Sequence, residues 1–179
     1  ARSRGLGDVY KRQINRITEV VKPVIEANGC ELWGIDLINK KNLPTIRIYI
    51  DAIGGATIED CEKISTELNY EMPIYDFLSD FEYVLEVSTP GLDRKFFYFD
   101  QFQQYIGEKF FVKFKNPIEG NYKFSLFLID IEEDTLIFSD GNSKIINSFF
   151  SEIDRCSLEP DFEKILRSSN GSVSYTHLT

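Results

Sequence analysis

Residues Tyr83 to Arg94 read Y-V-L-E-V-S-T-P-G-L-D-R, and the chain changes character at this stretch. Its first half alternates between two sets of side chains, as in a strand with one face on a core. Thr89-Pro90-Gly91-Leu92 then has the composition of a type II turn, because proline suits the second position and glycine takes the positive φ of the third. Helices and strands alternate before this turn, and mostly strands follow it.

Residues 14–93 predict an α+β domain of two layers, with two helices on one face of a three-stranded sheet. Apolar residues at three- and four-residue steps indicate the helices, and period-two alternation indicates the strands. The pattern places Trp33, Ile35 and Leu37 together on one strand face. The predicted elements are a helix from Ile14 to Asn28, strands over Glu31–Asn39 and Thr45–Asp51, a helix from Thr57 to about Tyr70, and the strand that ends at Ser88.

Residues 94–167 predict a small all-β barrel of the Sm or SH3 type. Asp100 is expected to cap a short helix that ends at Gly107. Five short strands then follow within about 50 residues, separated by turns rich in Gly, Asn and Asp, and closure of such a sheet removes its exposed edges. The predicted strands are Lys109–Lys115, Tyr122–Ile131, Thr135–Ser139, Lys144–Asn147 and Cys156–Leu158.

The two ends of the chain do not fit this pattern. Residues 1–13 have no apolar period, and residues 168–179 are polar. Both are predicted to be non-native or disordered segments. No stretch approaches the roughly 20 apolar residues that span a bilayer, so we expect a cytoplasmic protein without a membrane partner.

The composition argues against an enzyme. The only histidine, His177, lies in the polar tail, which removes the commonest general base and metal ligand from the folded part. The three cysteines are far apart, and no phosphate-binding or nucleophile motif is present. A carboxylate-metal hydrolase that uses Asp51, Glu86 and Asp93 remains an alternative, although no spacing motif supports it. No cofactor, metal site or catalytic residue is predicted.

Charge divides the chain into two kinds of candidate binding surface. Residues 14–93 carry six basic and fifteen acidic side chains, which suits a basic protein partner, and Asp51, Glu59 and Asp60 are the candidate contacts. Lys109, Lys113 and Lys115 share a face of one strand, and Lys113 and Lys115 are the candidate RNA contacts. A general RNA-binding module, Sm-like or KH-like, is therefore the first alternative, ahead of the hydrolase, although the G-x-x-G loop of KH modules is missing.

Several segments together resemble the bacterial ribosome maturation factor RimP family. They are G-C-E-L-W-G-I-D-L, T-I-R-I-Y-I-D, T-I-E-D-C-E-K-I-S-T-E-L, Y-V-L-E-V-S-T-P-G-L-D-R and F-Y-F-D-Q-F-Q-Q-Y-I-G, and the likeness covers about residues 14–161. The resemblance implies a cofactor-free assembly factor with an α/β domain and an Sm-like barrel. Such a factor binds the free small (30S) ribosomal subunit late in its maturation, contacting rRNA and a basic small-subunit ribosomal protein, and we expect it to be a monomer.

The remaining candidate site lies at the turn itself. We predict that the residues from the end of the strand to the start of the barrel form the surface between the two domains. They are Ser88, Thr89, Pro90, Gly91, Leu92, Asp93 and Arg94.

Overall fold

The computed structural model describes residues 2–40, 43–72 and 82–167, with the backbone alone at residues 2–10, 39–40 and 43. The chain divides into two compact units, Ala1–Gly91 and Leu92–Thr179. Each unit is built around its own sheet. The predicted boundaries at residues 93 and 167 stay predictions.

The first unit contains two helices and a three-stranded sheet in the predicted order. Its elements are α1 (Arg2–Ala27), β1 (Glu31–Lys40), β2 (Leu43–Asp51), α2 (Ile58–Glu71) and β3 (Val84–Ser88). β1 pairs antiparallel with β2, and β2 pairs parallel with β3, so β2 is the central strand. The chain leaves β2 through α2 and returns as β3, which is the crossover that parallel neighbours require.

Both helices bury their apolar stripes in one core on the sheet. Val21 and Ile25 of α1, Ile64 and Leu68 of α2, and Ile48 of β2 are all fully buried there. Because side chains alternate along a strand, Ile46, Ile48 and Ile50 face the helices while Arg47 and Tyr49 lie on the opposite face. The predicted α+β arrangement of this unit is confirmed.

Three details of the first unit differ from the predictions. α1 begins at Arg2, so its predicted start at Ile14 was wrong by twelve residues. A bulge between Leu32 and Gly34 shifts the register of β1. Among the described residues the core therefore packs Leu32, Ile35 and Leu37, and Trp33 is buried outside it. Between the second predicted helix and the third strand, the sequence from Met72 to Asp80 is expected to be a loop, and this segment lies almost wholly outside the described residues.

The second unit is an antiparallel five-stranded sheet preceded by a 3₁₀ helix, Phe99–Tyr105. Its strands are β4 (Lys109–Ile118), β5 (Asn121–Glu132), β6 (Thr135–Ser139), β7 (Ile145–Phe149) and β8 (Ile153–Leu158). The strand order is β7-β6-β5-β4-β8, so the last strand returns to lie beside the first. All five predicted strands are present, with ends that differ by up to three residues.

The predicted closed barrel is not confirmed. Within the described residues, no strand pairing joins β7 to β8, and these strands form the two edges of the sheet. In sequence, these two edge strands are separated only by a single 3₁₀ turn, Phe150–Glu152. The chain passes through this turn from β7 to β8. The observed element is thus a separate five-stranded antiparallel sheet.

The core of the second unit is aromatic. Phe102 of the 3₁₀ helix is fully buried, with ring centroids 4.7 Å from Phe96, 5.5 Å from Phe110 and 5.5 Å from Phe150. The predicted cap at Asp100 is wrong, because Tyr98 precedes the helix and Gln101 supplies the capping oxygen. Its Oε1 accepts from the backbone N–H of Phe97 at 2.7 Å and of Tyr98 at 3.1 Å.

In the part of the chain that the structure describes, no helix is both long enough and apolar enough to cross a bilayer.

Candidate functional site

The outward face of β4 carries the lysines predicted to contact RNA. Phe110, Val112 and Phe114 point into the core and are buried, whereas Lys113 and Lys115 are exposed. This confirms the predicted alternation along β4. A strand that buries every second residue presents the others at one surface, so the lysines can reach a ligand without disturbing the core.

Strand register extends this surface into a row of three cations across three strands. Lys113 lies opposite Lys123 of β5 on one side and opposite Arg155 of β8 on the other. We call Arg155, Lys113 and Lys123 the basic row. Directly opposite residues have Cβ atoms about 5 Å apart, and like charges in such pairs destabilise a sheet. Binding of an anion across the basic row would relieve the repulsion between these cations, so the arrangement favours an anionic ligand.

Carboxylates compensate the basic row only in part. Asp154, the extra residue where β8 shifts register, places Oδ2 3.4 Å from the Nζ of Lys113. Both side chains are about half exposed, and such a pair contributes little to stability. Among the described residues, neither Lys123 nor Arg155 has an ion pair or hydrogen bond through its side chain. Two of the three cations are therefore available to a ligand.

Phe111 lies next to the basic row on the same face. Its neighbours in register are Ser125 on β5 and Ser157 on β8, both small and polar. Half of the Phe111 side chain is accessible, with 50% of its surface exposed. Within the described residues its ring contacts no other aromatic ring or cation. The flat ring is thus open to solvent beside three positive charges.

These side chains line an open depression on the sheet. Phe111, Ser125 and the basic row enclose a volume of about 570 Å³. A second depression of about 400 Å³, lined by Lys115 and Tyr122, shares Lys113 and Asp154 with the first. Volumes of a few hundred Å³ are typical of small-ligand sites. Surfaces that bind single-stranded nucleic acid typically combine positive charge with exposed aromatic rings.

Sequence reasoning found Lys113 and Lys115 but missed Phe111, Lys123 and Arg155. Lys123 and Arg155 lie on other strands, ten and 42 residues further along the chain than Lys113. Only the pairing of β4 with β5 and β8 brings them together. Alternation along β5 was visible in the sequence, but its register against β4 was not.

The acidic residues predicted to bind a basic partner lie near the start of α2. Asp60 forms a reciprocal capping box with Thr57: Thr57 N–H donates to Oδ2 of Asp60 at 2.9 Å, and Asp60 N–H donates to Oγ1 of Thr57 at 3.1 Å. The bond from the Thr57 backbone lowers the pKa of Asp60 below its ordinary range. Asp60 therefore has a structural role, and Glu59 beside it is exposed.

Asp51 is the third predicted acidic contact and lies at the end of β2. Its Oδ1 accepts from the N–H of Ala52 at 3.0 Å, which fixes the carboxylate at the strand end. One turn of chain separates it from α2, so Asp51 and the helix start lie in neighbouring segments of the same unit. The role of these acids in binding a partner stays a prediction.

A charged row that was not predicted as a unit crosses the exposed face of the first sheet. Register aligns Asp36, Arg47 and Glu86 across the three strands, and Arg47 Nε donates to Glu86 Oε2 at 2.7 Å. That bond is the main reason why the pKa of Arg47 is raised above its ordinary value. Opposite charges in register stabilise a sheet, so this row is explained by structure alone.

The carboxylate-metal alternative is not supported. Among the described residues, no group of three or more acids, histidines or cysteines is arranged to hold a metal ion. Glu86, one of its three proposed ligands, is paired with Arg47 instead. The described residues thus give no metal-holding group for the alternative that uses Asp51, Glu86 and Asp93.

The cysteines are poor candidates for nucleophiles. Cys30 and Cys156 are buried and Cys61 is partly buried, and all three are free thiols. Burial raises the pKa of each thiol, most strongly that of Cys156. A raised pKa leaves little of the reactive thiolate at neutral pH.

The predicted surface from Ser88 to Arg94 begins at the last residue of β3. Gly91 has the positive φ predicted for it, 80°. The hydrogen-bonded turn, however, is at Leu92 and Asp93 rather than at Pro90 and Gly91. Leu92 is exposed, and its predicted role at a surface between the units stays a prediction, together with those of Thr89 and Arg94.

The fold and the basic row define a two-unit α+β protein with a candidate nucleic-acid-binding face on its second sheet. Residues 20–93 match the family model described as the RimP N-terminal domain. This match spans the three strands and α2 of the first unit but only the last eight residues of α1, and it includes the stretch from Tyr83 to Asp93. Residues 20–93 are therefore similar to the N-terminal domain of the RimP family, and this match supports a relation of the chain to that family.

Proposed function

We propose that this protein is a non-enzymatic maturation factor that binds the free small (30S) ribosomal subunit and assists its late assembly. The RimP N-terminal domain over residues 20–93 is the observation that carries the proposal. The three cysteines are free thiols whose pKa values are raised by burial, which agrees with a protein that acts by binding. The proposal needs no cofactor and sets the protein in the cytoplasm as a monomer.

Each unit has a partner of opposite charge in this proposal. The first unit, with fifteen acidic and six basic side chains over residues 14–93, receives a basic small-subunit ribosomal protein at Asp51, Glu59 and Asp60. The second unit contacts rRNA through Lys113 and Lys115. Ser88 to Arg94 form the surface between the units, and the five strands curl into an Sm-like barrel.

Co-sedimentation tests this function directly. We expect the full chain to migrate with immature small subunits in a sucrose gradient and to be absent from large subunits and assembled ribosomes. Glu59→Lys should lower the affinity for small subunits, by on the order of fivefold for one exposed charge. Glu71→Lys, a reversal at the other end of α2, is the matched control and should bind like the parent.

A chain that stays at the top of the gradient with every ribosomal fraction would contradict the proposal. Equal reductions in affinity for Glu59→Lys and Glu71→Lys would contradict the acidic contact at the start of α2 and leave subunit binding intact.

The basic row favours one second candidate, a general RNA-binding module that acts through the second sheet. Lys113, Lys123 and Arg155 are equally suited to RNA outside a ribosomal subunit. The two candidates differ in whether a subunit is preferred over naked RNA.

A further inference from the structure

The geometry points to a binding site for single-stranded RNA on the outer face of the second sheet, with phosphates on the basic row and one base stacked on Phe111. This inference rests on the proposed function for its biological setting, because it specifies how the second unit would contact rRNA. It adds Phe111, Lys123 and Arg155 to the two lysines proposed above.

The phosphate part of the site is the basic row. Three cations lie side by side across three strands, and one carboxylate, that of Asp154, neutralises part of the charge. Residues 94–166 carry nine basic and thirteen acidic side chains, so this concentration of positive charge is local and not a property of the whole unit. A short basic row can bind a few consecutive phosphates, whereas the acidic remainder of the surface repels a longer polyanion.

The base part of the site is Phe111. The serines on both sides of it, Ser125 and Ser157, leave the ring uncovered by neighbouring strands. A larger residue at either position would lie against the ring and occupy the space that a base needs. Every base has a π-face, so stacking on Phe111 tolerates any sequence.

The two parts lie within one depression of about 570 Å³, lined by Phe111, both serines and all three cations. A base on Phe111 and phosphates on the basic row would therefore belong to the same or adjoining nucleotides. Bases in a duplex are stacked on one another and are not free to lie on a protein ring. The site consequently fits single strands better than duplexes.

The test uses the full chain and a labelled single-stranded RNA of about 12 nucleotides, within the span that such surfaces cover. We expect the double variant Lys123→Gln, Arg155→Gln to bind at least about tenfold more weakly at moderate salt. It should also flatten the plot of log affinity against log salt by about 1.4, at roughly 0.7 for each phosphate that a side chain no longer neutralises.

Phe111→Ser should weaken binding by about tenfold without changing the salt slope, because stacking releases no counterions. Phe111→Trp, which keeps an aromatic face for a base to stack on, should bind RNA at least as tightly as the parent. Phe149→Ser is the matched aromatic control, since Phe149 is 48% exposed on the edge strand β7 and does not line the depression. Lys22→Glu on α1 is the charge control, and both controls should bind like the parent.

Parent-like RNA binding by the double variant and by Phe111→Ser would overturn the inference, as would tighter binding of the same sequence as a duplex. If an acidic peptide bound more tightly than the RNA, and its binding depended on the basic row, the site would belong to a protein partner and the inference would be overturned too.

Sucrose gradients with small subunits distinguish this inference from the proposed function. If the parent misses small subunits but binds the RNA through these residues, only the proposed function fails. If the parent and all variants co-sediment equally and bind RNA equally, only this inference fails.

Discussion

At the residue scale, Asp60 is a candidate for two different roles, partner binding and helix capping. It was predicted as an acidic contact for a partner, and it also closes the capping box with Thr57. The lowered pKa of Asp60 follows from the capping bond, in which the ionised carboxylate accepts from a backbone N–H. Its helix-capping role is therefore measurable separately from partner binding.

Asp60→Ala should lower the thermal stability at about pH 7, and the difference from the parent should shrink in acid. The pKa of Asp60 in the folded chain lies below its ordinary value of 3.8. Stabilisation by such a group is complete above the unfolded pKa and disappears as the pH falls through the folded pKa. Melting temperatures of parent and variant at about pH 7 and about pH 2.5 measure this.

Glu62→Ala on the same helix is the control and should show no such pH dependence. An equal drop in melting temperature for Asp60→Ala at both pH values would show that the ionised carboxylate does not stabilise the helix start.

At the element scale, the strands were predictable because the sequence of each strand contains its own period-two alternation of apolar and polar residues. β6 was predicted with its observed bounds, Thr135–Ser139, and the buried and exposed residues of β4 alternate as expected. Features that depend on pairing were not predictable in this way. The bulge at Leu32 and Gly34, which leaves Trp33 outside the core, and the alignment of Lys113 with Lys123 and Arg155 both arise between strands.

The 3₁₀ helix, Phe99–Tyr105, is the element that closes the core of the second unit. Its presence was predicted, but its start was not, because the capping oxygen comes from the third residue of the helix, Gln101, and not from an acid before it. The ring of Phe102 contacts Phe110 of β4 and Phe96 of the segment before the helix, and the contact with Phe110 attaches the helix to β4.

Phe102→Ala should lower the free energy of unfolding by about 3 to 5 kcal/mol, since it leaves a cavity in a fully buried aromatic cluster. Domains of this size have about 5 to 15 kcal/mol in total, so much of the stability of the unit would disappear. Urea unfolding followed by fluorescence measures the change. Phe149→Ala, at an exposed ring, should cost about 1 kcal/mol or less. Equal midpoints for these two variants would contradict the assignment of Phe102 to the core.

At the scale of the whole molecule, the sequence predicted an α+β unit followed by a unit of strands, and the RimP N-terminal domain match covers the first unit from residue 20 onward. The candidate site was only half predictable. Local charge patterns identified Lys113, Lys115 and the acids of α2, whereas the site on the second sheet is completed by residues from three strands. The helical span from Arg2 to Gln13 was missed because it has no apolar period of its own to signal a helix.

The central proposal is that the chain binds a small ribosomal subunit more tightly than it binds naked RNA. The most direct measurement compares its affinity for immature small subunits with its affinity for the naked rRNA of the same subunit, from about 50 to about 200 mM salt. We predict that subunit binding is the tighter at every salt concentration and has the shallower salt slope, because the proposed partner of the acidic first unit is a protein and not a nucleic acid. Tighter binding to naked rRNA, with a steep slope and no preference for the subunit, would contradict the claim and identify a general RNA-binding module.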